Sequence, residues 1–192
     1  MSILSRANLT RRLCLDAILI TAAMMLSYLE ALIPMTLLLP LPGFKLGRAN
    51  VVTILAFVLV SKKDAAVISA LRILLMGLLF GSVTSLFFSA MGGLLAFLAL
   101  CFASRFLQSC SFLGVSVLCA AAHNVGQLLA AVCLFGFELL LSYLPLLLFA
   151  ALLSGALTGC ILNLSIPTLS RLSRSSFNGR KGRTVNNEEG AK

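Results

Sequence analysis

Leu41-Pro42-Gly43-Phe44-Lys45-Leu46-Gly47-Arg48-Ala49-Asn50 packs two cations, two glycines, a proline and an amide into ten residues. Long apolar runs lie on both sides of it. Pro42 and Gly43 stop one helix, and Gly47 frees the backbone just before the next. Lys45, Arg48 and Asn50 then stand where that next helix enters its apolar run. Two readings follow. The stretch is a re-entrant loop whose cations snorkel to headgroup level, or it is a lid or mouth that receives an anionic ligand.

The flanking sequence decides the class. The chain of 192 residues is 60% hydrophobic and 11% charged, with a mean hydropathy of +1.07. Apolar runs reach the length of a membrane span, and a soluble domain of this size does not leave its surface so short of charge. The composition predicts an all-α membrane protein, multi-pass in the cytoplasmic membrane, with the lipid bilayer as its first partner. The net charge of +9 does not point to nucleic acid, because the cations flank apolar segments instead of forming a patch. Arg6, Arg11 and Arg12 precede an apolar stretch as in a signal peptide, yet no small-x-small cleavage site follows, so an uncleaved first span is expected.

Outward from the opening stretch, the pattern predicts a six-helix transmembrane bundle. The spans run at about Leu13–Ile33, Leu46–Val60, Ala65–Phe80, Ser85–Ser104, Phe112–Phe135 and Leu139–Leu164. Pro34 and Pro40 break any continuation of the first span, leaving Met35–Leu41 extended or re-entrant. The second span is short and must borrow from the preceding loop or sit in thinned bilayer. Residues 1–12 form a basic N-terminal segment, 13–165 the membrane domain and 166–192 a basic, disordered tail. Of the 15 Lys and Arg residues, 12 fall on one face of this arrangement, which places both termini in the cytoplasm. Lys45 and Arg48 fall on the opposite face and need a reason other than topology, which favours the lid reading.

Polar groups inside the spans are costly, so each is a candidate site residue. Arg72, near the middle of the third span, has no acid at helical spacing on its own helix. It must meet a partner such as Glu30, a cavity or a ligand. His123 and Gln127 share a face of the fifth span with Asn124 beside them, either as interhelical hydrogen-bonding glue or as pocket lining. Ser27, Tyr28 and Glu30 on the first span, with Asn50 on the second, complete a candidate pocket. Lys45, Arg48 and Arg72 against Glu30 give it a positive balance, suited to phosphate or carboxylate.

Catalysis finds no support in the motifs. There is no Asp-rich pair of the kind that holds Mg²⁺ in prenyl-diphosphate synthases, no GxSxG elbow and no Walker loop. The lone His123 has no second ligand at metal-binding spacing. Six cysteines (Cys14, Cys101, Cys110, Cys119, Cys133, Cys160) are scattered as soft packing residues, with no CxxC pair. Small residues recur every fourth position as Gly77/Gly81, Ala151/Gly155/Gly159 and Ala23/Ser27/Ala31, the spacing that lets helices approach closely in lipid. One such ladder could equally serve as a docking face for another membrane protein.

Several of these pieces together resemble one family. They are Pro42-Gly43-Phe44-Lys45-Leu46-Gly47-Arg48-Ala49-Asn50, Leu71-Arg72-Ile73-Leu74 followed by Gly77 and Phe80-Gly81, and Ala122-His123-Asn124-Val125-Gly126-Gln127. They resemble the Gx transporter family, also labelled heptaprenyl diphosphate synthase component I, over roughly residues 13–165. That family is similar to the substrate-binding S components of energy-coupling-factor (ECF) vitamin transporters. The resemblance implies an S-component-like six-helix fold that binds a small molecule, such as a flavin, vitamin precursor or isoprenoid phosphate, from outside. It implies Lys45, Arg48, Asn50, Arg72, His123, Asn124 and Gln127 as pocket residues, and a membrane T component with two ATPases as partners. ATP would then enter only through those partners, with no cofactor on this chain. The S components' Ala-x-x-x-Ala docking motif on the first helix is not literally present; Ala17/Thr21 and Ala23/Ser27 are its nearest equivalents. The competing expectation is a non-catalytic membrane subunit that assists a prenyl diphosphate synthase or a quinone or flavin electron-transfer protein.

Overall fold

The computed structural model describes residues 9–32, 50–105, 111–136 and 145–168. Six helices fill them: α1 (Leu9–Leu32), α2 (Asn50–Leu59), α3 (Lys62–Phe80), α4 (Val83–Ala103), α5 (Phe112–Phe135) and α6 (Pro145–Thr168). There is no strand among the described residues. Lys45, Arg48, the Met35–Leu41 segment, Cys110, Glu138 and residues 169–192 lie outside them.

Serines start three of these helices. Ser61, Ser82 and Ser111 each adopt extended backbone and accept from the amide three residues on, at 3.2, 3.1 and 3.2 Å. Each hydroxyl thus satisfies one of the four amides that a helix start leaves open. Gly136 closes α5 at φ +96°, a conformation that costs a side-chain-bearing residue but not glycine.

Named contacts fix the directions of the helices. Arg12 meets Asp64 at 2.7 Å and Tyr28 packs on Phe80 at 5.0 Å, so α1 and α3 run parallel. Lys62 Nζ donates to Ser104 Oγ at 3.1 Å, which makes α4 antiparallel to α3. Gly92 faces His123, while Gly155 and Gly159 sit on Val117 and Leu113, so α5 and α6 each reverse again. The start of α1 and the end of α6 therefore share one end of the bundle.

Four helices, α1, α4, α5 and α6, are long and apolar enough to cross a membrane. The expectation of six such spans meets two departures. Helix α2 has ten residues and spans about 15 Å, half of a hydrocarbon core of about 30 Å. Helix α3 is long enough, but it carries Lys62, Lys63, Asp64 and Arg72. Helix α2 is shielded by packing, being buried along almost its whole length, while α3 buries Arg72 and leaves Lys62 and Lys63 exposed at its start.

The radial pattern is that of a membrane protein. Large apolar side chains point outward on every long helix, as with Leu78 at 70% and Leu164 at 75% exposure. Polar ones point inward: Ser27, Glu30, Asn50, Thr53, Arg72, His123, Asn124 and Gln127 are all buried. Water would penalise that outer surface, and lipid would penalise the inner groups if they turned out. An apolar cluster around α2, with Ile54, Leu55, Ile68, Leu100, Cys119 and Leu162, fills the end nearer Arg12. Phe88, Ala130 and Ala131 form a smaller one farther along α4 and α5. The polar belt lies between them.

Candidate polar cavity

Within that belt Ser27 and Glu30 from α1, Arg72, Ile73 and Met76 from α3, Ser89 from α4 and His123 from α5 enclose a cavity of about 20 Å³. Each helix delivers its residues by ordinary periodicity. Ser27 and Glu30 are one turn apart, as are Arg72 and Met76, so both pairs share a face. A cavity of this size holds about one water; a larger molecule enters if helices part.

Arg72 is the costliest group in it, at 7% exposure. Its Nη1 donates to Ser27 Oγ at 3.3 Å, and Glu30 lies within electrostatic reach. Its Nε is buried with no hydrogen-bond partner among the described residues. A guanidinium has five donors, so the protein leaves this one under-used where desolvation makes each donor valuable. The arrangement can accept an anion or a water at that nitrogen.

His123 is held by geometry. Its Nε2 lies 2.9 Å from Gln127 Nε2, one turn along α5, so the imidazole nitrogen accepts if the amide donates there. On the other side its ring lies against bare backbone. A Cβ on Gly92 would stand 2.7 Å from His123 Cε1, and one on Gly126 would stand 2.5 Å from the Met91 carbonyl. The two glycines let α4 and α5 approach closely enough to seat the ring.

The candidate residues thus sort into three places. Glu30, Arg72 and His123 meet in the cavity, with Gln127 behind His123. Asn124 turns to α6 instead and donates to the Leu147 carbonyl at 2.9 Å, the interhelical role that amides often take in lipid. Asn50 lines a second, smaller cavity of about 10 Å³ with Thr53, Ser69, Gly93 and Cys119. Lys45 and Arg48 fall outside the described residues. Tyr28 departs from the expected pocket: it is 43% exposed and packs on Phe80, because the residue after Ser27 lies a full 100° around the helix. Ser89 was not anticipated. Its only sequence signal is a hydroxyl four residues after Ser85 in an otherwise apolar span. No group of three or more His, Cys, Asp and Glu among the described residues could hold a metal ion.

The small-residue ladders also separate. On α6, a Cβ at Gly155 or Gly159 would stand 2.6 or 2.7 Å from the backbone of Val117 or Leu113 on α5, and Ala151 is buried. Gly77 lies against the Leu86 side chain of α4, whereas Gly81 faces the backbone of its own helix. Ala23 and Ser27 point inward; Ala31 is not described.

A profile of the family described as heptaprenyl diphosphate synthase component I matches residues 19–165, three quarters of the chain, and the chain belongs to that family. No curated protein matches it. No solved structure does either.

Proposed function

We propose that this member of the heptaprenyl diphosphate synthase component I family is a non-catalytic, substrate-binding component of a transporter, embedded in the cytoplasmic membrane. Its ligand is a small molecule carrying phosphate or carboxylate. The observation that carries this reading is Arg72: a buried guanidinium bonded to Ser27, whose Nε has no partner among the described residues, lining a small cavity with Glu30, Ser89 and His123. Within a membrane such a group is costly and marks a site where an anion, water or backbone oxygen can meet it. Glu30, His123 and Gln127 complete the receiving surface. Lys45, Arg48, Asn50 and Asn124 join it in this proposal as the residues that the cavity must recruit when it widens for a whole ligand.

With six spans and both termini cytoplasmic, the cavity opens outward. The chain has no nucleotide-binding motif, so energy for release would come from a partner T component and its ATPases. Ala17 and Thr21, exposed on α1, offer a small-residue face for such a partner, while Ala23 and Ser27 are spent inside.

A second reading is favoured by the family's description, which names a synthase component: a non-catalytic membrane subunit that presents a prenyl diphosphate to a synthase. A quinone or flavin electron-transfer partner belongs to the same class. The diphosphate would use the same guanidinium.

Purifying the full chain from its native membrane tests both. Mass spectrometry of retained small molecules should find an anionic compound in the wild type and none in Arg72→Met. Co-purifying ATPases support the transporter, and a soluble prenyl synthase the second reading. Equal retention by Arg72→Met overturns the anion site.

A further inference from the structure

The cavity at Arg72 has a neighbour built from the same helices. Helices α3, α4 and α5 each line the first with one residue and the second with another four positions away: Ile73 and Ser69, Ser89 and Gly93, His123 and Cys119. Four residues rise about 6 Å, so the two spaces are stacked one turn apart along the bundle, the second nearer Arg12. Ile73 divides them. It lines the first, and a Cβ on Gly93, in the wall of the second, would stand 2.5 Å from its Cδ1. The bare backbone at Gly93 thus makes room for the tip of Ile73, and a side-chain tip can change rotamer where a backbone wall cannot.

Helix α2 supplies the rest of the second cavity with Asn50, Thr53 and Ile54. Asn50 is 5% exposed, and its Nδ2 has no hydrogen-bond partner among the described residues. A buried donor without an acceptor is costly. The space beside it is about 10 Å³, and no Asp, Glu, Lys, Arg or His lines it among the described residues. What this amide lacks is a neutral acceptor, not a counter-charge.

We propose that the two cavities are the two lobes of one binding site, and that its ligand carries a neutral hydrogen-bond acceptor, a carbonyl or ring nitrogen, about 6 Å from its anionic group. This rests on reading Arg72 as the partner of the anion. The acceptor takes the proton of Asn50 Nδ2 as a hydrogen bond, with the Thr53 and Ser69 hydroxyls beside it. The anion takes Arg72. The Ile73 side chain turns aside, and the two lobes join as the helices part. A bare inorganic anion fills the first lobe alone and leaves the Asn50 donor unmet, so the second lobe is what selects a longer ligand.

The probes are succinamate, glutaramate and adipamate, carboxylates whose neutral carboxamide stands at increasing reach. Each is paired with the acid in which an isopropyl group replaces the carboxamide, and inorganic phosphate serves as the one-lobe anion. The purified full chain in nanodiscs is titrated with each by calorimetry, with the heat of empty nanodiscs subtracted. At least one amide acid should bind about threefold to tenfold tighter than its isopropyl counterpart, the worth of one neutral hydrogen bond. In Asn50→Leu that preference should vanish. Binding that depends on Arg72 but shows no preference for any amide acid overturns the second lobe and leaves the anion site standing. A preference that survives Asn50→Leu also overturns it, because the acceptor is then met elsewhere. Absence of binding by phosphate and every acid in the wild type overturns the anion site and the inference with it. Where Asn50→Leu does not fold, Ile73→Ala decides: opening the partition should widen the preference, and an unchanged preference overturns the proposal.

Discussion

Arg72 Nη1 donates to Ser27 Oγ across 3.3 Å, joining helices α1 and α3 between residues 45 positions apart. A neutral hydroxyl satisfies one donor of a guanidinium but none of its charge. Glu30, one turn beyond Ser27, is the carboxylate on the same wall of the cavity. The three residues form a unit whose parts should respond together.

Arg72→Met should therefore do two things. It should abolish retention of an anionic ligand while the protein still inserts, and it should lower thermal stability by removing the buried cation that acts on Glu30. Adding Glu30→Gln should return most of that loss, seen as a positive coupling in a double-mutant cycle of Tm values. Arg72→Lys should restore only part of the binding, because a point charge lacks the planar fork. A stable Arg72→Met protein that still holds its ligand contradicts the whole arrangement.

The crossing of α4 and α5 makes a sharper steric forecast. Gly126→Ala would push a methyl to 2.5 Å from the Met91 carbonyl and 2.8 Å from Gly92 Cα, both backbone atoms that cannot rotate away. Overpacking of this kind costs about 1–3 kcal/mol, and the shifted helix should also displace His123. Gly114→Ala is the control. Among the described residues its new methyl would meet only Ser111 Oγ at 3.7 Å, and the gain in helix propensity should leave stability unchanged or up to about 1 kcal/mol higher. Equal Tm losses for the two variants would show that α4 and α5 do not meet at Gly126.

At the opposite end, Asp64 accepts from Arg12 Nε and Nη2 at 2.7 Å each and from Ser61 Oγ at 2.9 Å. The hydrogen bond from Arg12 holds the Asp64 carboxyl below its ordinary value. A depressed folded-state value means that the unfolded chain binds the proton first. The stabilisation is thus complete above the unfolded value, about pH 4, and is lost as pH falls below it. Tm should be flat in this contribution from about pH 5 upward and should decline in acid. Asp64→Asn should lower the neutral-pH Tm and flatten the acid limb. An unchanged acid limb in Asp64→Asn would assign the decline to other groups.

Sidedness is checked with reporter fusions after Thr84, at the start of α4, and after Lys192. Six spans with cytoplasmic termini require opposite sides, and a shared side would overturn that topology. A fusion after Ser61 should report the same side as Lys192.

The all-helical membrane class, the bounds of α5 and the list of groups that lipid refuses are legible in the chain alone; the bounds of α1, α2 and α6 differ from the pattern by several residues. Helix α5 is bounded at Phe112 and Phe135 as the pattern predicts, because Ser111 and Gly136 act locally on backbone amides and dihedrals. Arg72, Glu30, His123 and Gln127 read as interior because a polar group in lipid is costly residue by residue, without reference to neighbours. Which of them meet was decided only by tertiary structure. Ser27 and Tyr28 are adjacent polar residues, yet one bonds Arg72 and the other packs outward on Phe80. Asn50 and Arg72 are both buried, yet they line different cavities. Asn124 and Gln127 stand three residues apart, yet one serves the α6 backbone and the other His123. These assignments depend on how near two helices can come and at what rotation. That is set by pairs of distant residues, such as Gly92 with His123 and Gly155 with Val117, whose complementarity exists only once the helices have packed.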